Sequence, residues 1–111
     1  MTARKRPPKR TDLLPAVRSA LDAGRFRDAV HARERQVQRR ITRPEYLYVL
    51  RNGHHEARKD EYRAEFGAWS YAIRGRTVDA RDLRVVVSFE QFKSELGETL
   101  LIITVIEVGD A

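Results

Sequence analysis

Cysteine is absent from the chain, which excludes disulfides and thiolate metal sites. That absence fits a reducing interior, and a cytoplasmic location is the expectation. Long apolar runs are also missing. The longest, Leu100 to Ile106, is interrupted by Thr104; it falls short of the ~18 residues that span a bilayer and reads instead as a buried strand. No apolar stretch follows the basic N-terminus, so no secretory leader is expected. Glycine-rich phosphate loops, GxSxG elbows and HExxH zinc motifs do not occur, which removes the common signatures of nucleotide, ester and zinc chemistry. No cofactor, no metal and no membrane partner is expected.

What the chain has is positive charge, unevenly placed. Its 111 residues suit one domain with a net charge of +6. Residues 1–10 carry five bases and no acid, and residues 25–43 carry seven arginines against two acids. Residues 79–111 reverse the balance, with three bases against seven acids. An anionic partner is drawn to the N-terminal half first.

Residues 1–10 hold Pro7 and Pro8 and show no apolar pattern, so they read as a flexible basic arm. Residues 11–111 read as a single α+β domain. Thr11 can cap a first helix that tolerates Pro15 early, carries Leu14, Val17, Ala20 and Leu21, and stops at Gly24. Phe26 to Val30 is a strand fragment or a connector. Thr42-Arg43-Pro44-Glu45 has the form of a capping box with an early proline. The helix behind it carries Tyr46, Leu47, Val49 and Leu50 and stops at Asn52-Gly53. His54 to Tyr62 suggests an edge strand, Ala68 to Arg74 alternates, and Gly75 to Asp82 reads as a turn. Leu83–Phe89 and Leu100–Val108 are strong β segments. The expected fold is α+β, with N-terminal helices packed on a three- to four-stranded, mainly antiparallel sheet.

The chemistry concentrates first in HARERQVQRRI, residues 31–41. On a helix, Val30, Glu34, Val37 and Ile41 share one stripe. His31 lies roughly 100° from it and Arg35 roughly 140°. His31, Arg35 and Arg39 then line up beside the core seam. RNA cleavage by the 2′-hydroxyl needs a base, an acid and cations for the crowded phosphate. A histidine with arginines one and two turns away supplies such groups, and arginine grips phosphate bidentately. His31, Arg35 and Arg39 are therefore the catalytic candidates. The bland reading is a packed or hydrogen-bonded boundary histidine on a solvated helix. Arg4, Lys5, Arg6, Lys9, Arg10, Arg33, Arg40 and Arg74 are the candidates for holding nucleic acid, through charge without sequence readout.

His54-His55-Glu56 invites a metal reading, but neighbours on a strand point to opposite faces. One of the pair can still serve as a second acid or base near the sheet. Tyr62, Phe66, Trp69 and Tyr71 can stack bases or fill a core. In AWSYAIR the face with Trp69, Tyr71 and Ile73 is read as buried. Arg74 and Arg76 would then emerge on the open face, with Arg84 flanking the same surface.

The stretch His31-Ala32-x-x-Arg35, then Arg39-x-Ile41, then a proline-led helix ending Leu50-x-Asn52-Gly53, resembles the bacterial domain of unknown function 4258. The resemblance runs through Val85-Val86-Val87 to Ile102-Ile103-Thr104-Val105 and covers about residues 26–108. It implies no settled activity. The helices-then-sheet layout is also similar to ribonuclease toxins of the RelE and MqsR type, a weaker analogy of layout. That analogy implies metal-independent RNA cleavage, with RNA and an acidic antitoxin-like protein as partners. The alternative is a noncatalytic module that binds protein or nucleic acid.

Overall fold

A computed structural model describes residues 6–29, 41–65, 67–90, 95 and 97–109. Helix α1 spans Leu13–Asp22 and buries Leu13, Val17, Ala20 and Leu21. Its N-cap is Asp12, with no side-chain cap bond, so the capping role expected of Thr11 is not taken up. Gly24 ends the helix at φ +71. The Gly24 and Arg25 N–H groups return to the Leu21 and Ala20 carbonyls, a Schellman closure that glycine makes without steric cost. Strand β1 follows at Phe26–Asp28.

Helix α2 spans Arg43–Asn52 and begins with the expected capping box. The Glu45 N–H donates to Thr42 Oγ1 at 3.4 Å, and the Thr42 N–H donates to Glu45 Oε1 at 2.8 Å. Glu45 also accepts from Arg81 Nη1 at 3.1 Å, which ties the helix start to the turn at residues 77–81. The remaining strands are β2 (His54–His55), β3 (Glu61–Arg63), β4 (Ala68–Arg76), β5 (Asp82–Phe89) and β6 (Leu100–Glu107), with a 3-10 turn at Ala57–Lys59.

Among the described residues the sheet has six strands, in the order β1-β6-β5-β4-β2, with β3 also on β4. The class is α+β, as expected, but the three- to four-stranded count needs correcting. Three strands of only two or three residues raise it. Segments this short carry too few residues for an alternation signal. The antiparallel expectation holds for the central strands, whereas β1 runs parallel to β6. The turn expected over Gly75 to Asp82 narrows to residues 77–81, because β4 continues to Arg76 and β5 starts at Asp82.

One face of the sheet carries the core. Tyr71 and Ile73 of β4, Leu83, Val85 and Val87 of β5, and Leu100, Ile102 and Val105 of β6 meet Tyr46, Val49 and Leu50 of α2 and the buried stripe of α1. Tyr46 is fully buried, and its hydroxyl donates to Asp28. Burial, then that bond, pushes its phenol well above the ordinary range. No helix among the described residues is long and apolar enough to cross a membrane.

Candidate functional site

His31, Arg33, Arg35, Arg39 and Arg40, together with Arg4 and Lys5, lie outside the described residues. Arg6, Lys9, Arg10 and Arg74 are described, and they fall into two different places.

The described part of the arm is laid against the sheet, where a free tail was the expectation. The Trp69 Nε1–H donates to the Pro7 carbonyl at 2.7 Å, and the Arg10 N–H donates to the Tyr71 hydroxyl at 2.9 Å. The Arg10 guanidinium grips Glu98 with two bonds of 2.6 and 2.7 Å and sits 4.1 Å over the Phe89 ring. Lys9 Nζ reaches Asp60 Oδ2 at 2.9 Å and lies 5.2 Å from the Trp69 ring centre. Arg6 stacks on Tyr62 at 5.3 Å. Aromatic faces attract these cations through the ring quadrupole. The charges that the sequence suggests for a polyanion are here matched by carboxylates and rings of the chain itself.

Asp60 explains why the arm docks there. Between β2 and β3 the edge is broken by the 3-10 turn, and the Ala72 N–H has no strand carbonyl opposite. Asp60 Oδ1 accepts that N–H at 3.1 Å, while Oδ2 faces His55 Nε2 at 2.8 Å and Lys9. A fully buried carboxylate is thereby satisfied on every side. His55, edge-on to Tyr71 with ring centres 6.0 Å apart, belongs to this staple.

The second place is the other face of the sheet. β2 is antiparallel to β4 with His54 opposite Arg74; Arg74 lies opposite Arg84, and Arg84 opposite Ile106. Residues directly opposite share a face, so His54, Arg74, Arg84 and Ile106 form one row across four strands. This face points away from both described helices. Glu56 follows two residues after His54 and sends its carboxylate into the row. Arg84 clasps it bidentately, Nε to Oε1 at 2.6 Å and Nη2 to Oε2 at 3.2 Å. Arg74 Nη1 adds a bond of 3.0 Å and holds Asp82 with two more, at 2.9 and 2.7 Å. The Glu56 side chain is 7% exposed, whereas Arg84 and Arg74 keep 17% and 25%. The bonds from Arg84, then Arg74, outweigh burial and hold the Glu56 carboxyl at about 2. Arg74 likewise lowers Asp82. Arg58, 3.9 Å from Glu56, and the exposed Arg76 extend the positive rim.

Arg74 emerges on the open face, as the alternation of AWSYAIR predicts, with Arg84 beside it. His54 and His55 part to opposite faces. Sequence reading missed the role of Glu56, because only the pairing of β2 with β4 delivers its carboxylate to two arginines. Among the described residues, no group of three or more His, Cys, Asp or Glu is placed to hold a metal ion.

The family model described as Domain of unknown function (DUF4258) matches residues 30–107. The chain belongs to this family. The DUF4258 match takes in α2 and strands β2 to β6, hence the whole open-face row, and begins after α1 and β1. It bears out the resemblance read from the HAxxR motif and the closing strands. No curated protein and no solved structure matches the chain. Membership alone brings no activity.

Proposed function

We propose that this DUF4258 protein is an RNA-directed domain that acts as a metal-independent endoribonuclease. The observation that carries the reading is the open sheet face, where Arg58, Arg74 and Arg84 gather at one carboxylate beside the exposed His54. Guanidinium groups that retain solvent exposure suit the phosphates of a nucleic acid. An imidazole and a carboxylate beside them are the groups that proton transfer in RNA cleavage requires. The lopsided charge of the chain supports the same reading, and the weaker layout analogy that the sequence offers to toxins of the RelE and MqsR type points the same way. His31, with Arg35 and Arg39, is the sequence's own candidate for proton transfer and phosphate grip. An acidic antitoxin-like protein is the corresponding protein partner.

The docked arm favours a second reading, a noncatalytic module. Lys9 and Arg10 are matched within the chain, which leaves less charge for capture than the sequence suggests. The test is incubation of the purified chain with RNA in excess chelator. Cleavage that survives chelation supports the endoribonuclease. Binding that falls steeply with salt, with no cleavage, supports the module. Neither binding nor cleavage removes RNA as the target.

A further inference from the structure

We propose that Glu56 and His54 are the base and the acid of a phosphodiester-cleaving site on the open sheet face, with Arg74 and Arg84 as its phosphate clamp. The substrate class is single-stranded RNA. This assignment rests on the RNA reading above and replaces the sequence candidate His31 with groups on the sheet.

Placement is the first argument. His54 and Glu56 are two residues apart on the edge segment, about 6–7 Å along a strand. Arg74 stands directly opposite His54, and Arg84 is the next residue of the same row. Strands in a sheet are spaced by about 4.8 Å, so all four groups fit around a single phosphate. His54 is exposed at one end of the row, and Ile106, 36% exposed, offers an apolar contact for a base at the other.

The second argument concerns what the cluster costs. A nearly buried carboxylate shared by two arginines is weak support for a fold, because apolar replacements of such pairs are often neutral or stabilising. Arg74 and Arg84 keep solvent access on a face where Ser70 and Ala72 are buried and that packs on neither described helix. A clamp for phosphate explains why charge, rather than packed aliphatic residues, occupies this row.

The chemistry closes without a metal. The proton of the 2′-hydroxyl passes to the Glu56 carboxylate as the 2′-oxygen forms a bond to phosphorus. The bond from phosphorus to the 5′-oxygen breaks, and that oxygen takes a proton from the His54 imidazolium. The products are a 2′,3′-cyclic phosphate end and a 5′-hydroxyl end. Glu56 finishes protonated and His54 neutral, and exchange with water resets both. In the resting structure the two arginines hold Glu56 as a poor base. A phosphate that engages Arg84 and Arg74 competes for the same N–H donors. As negative charge builds on its oxygens, it draws those bonds away from Glu56, which becomes more basic as the reaction requires. DNA lacks the attacking hydroxyl and is excluded as a substrate.

The experiment uses the full chain, a 5′-labelled single-stranded ribo-oligonucleotide and excess chelator. Wild type should release cyclic-phosphate and 5′-hydroxyl ends, and a single 2′-deoxy substitution should abolish the cut at its position. His54→Ala alters an exposed side chain and should slow cleavage by about 100-fold or more, while RNA binding stays within about twofold. Glu56→Gln should slow it similarly where circular dichroism shows it folded; His54→Ala carries the test if it does not fold. Wild-type cleavage rates in His54→Ala, or loss confined to His31→Ala, would overturn the site and leave the RNA reading standing. A wild type that binds RNA without cutting it would also overturn the site. A wild type that does neither would remove the site and the reading together.

Discussion

Gly53 and Gly75 face each other where the end of α2 meets β4. A Cβ on Gly75 would lie 3.1 Å from the Gly53 Cα, and a Cβ on Gly53 would lie 2.6 Å from the Arg74 carbonyl oxygen and 2.6 Å from that of Val49. Backbone touches backbone there, so neither side can yield by turning a side chain. This contact seats β2, and with it His54, beside Arg74.

Gly53→Ala should therefore destabilise the fold by about 1–3 kcal/mol, the usual range for overpacking. Chemical denaturation measures the loss. The same substitution should slow RNA cleavage, because it displaces His54 from the row. An unchanged denaturation midpoint would refute the close approach.

Acid should weaken the protein partly through Glu56. Its carboxyl is held at about 2 in the folded state, against 4.5 ordinarily. A lowered folded value means that the ionised group stabilises the fold above about pH 4.5. That contribution is lost as pH falls from there toward 2. Among the described residues, the groups facing Glu56 are Arg84 on β5, Arg74 on β4 and Arg58 on the 3-10 turn, with Asp82 sharing Arg74. None of these arginines loses its charge in that window. Urea midpoints of wild type and Glu56→Gln should converge as pH drops from 5 to about 2. A constant gap between them would refute the linkage.

Tyr46→Phe should cost about 1–3 kcal/mol. The ring stays in the core, while Asp28 loses a donor that reaches it from α2; Arg43 stays 3.5 Å from its Oδ2. Hydrogen bonds to charged groups fall in this range. Thermal or urea unfolding reads the change, and full retention of stability would show that water replaces the hydroxyl.

The docked arm is testable through the single tryptophan of the chain. Trp69 donates to the Pro7 carbonyl and lies under Lys9. Removing residues 1–9 should expose the indole and shift its emission to longer wavelength. Asp60→Asn should shift it in the same direction by weakening the Lys9 pair. Identical spectra would mean that the arm does not cover Trp69 in solution.

Local patterns were legible without coordinates. The capping box at Thr42 and Glu45, the stop at Gly24, the buried stripe of α2 and the long strands of β4 to β6 each depend on residues close in sequence. The alternation in AWSYAIR was enough to turn Tyr71 inward and Arg74 outward. The short strands β1, β2 and β3 were legible only as a strand fragment or connector over Phe26 to Val30 and one edge strand over His54 to Tyr62, because two or three residues make no period. Nor was the fate of Lys9 and Arg10 legible. Their partners Asp60 and Glu98 lie far along the chain, and nothing local distinguishes a docked cation from a solvated one.

The amino-acid order by itself determined the fold class, the family and the surplus of arginine, since each follows from composition or from spacing within one element. Only the tertiary structure decided which charges cancel and which remain addressable. That depends on strand register: His54, Arg74, Arg84 and Glu56 come from three segments, and a one-residue slip in any pairing would turn its side chains to the opposite face.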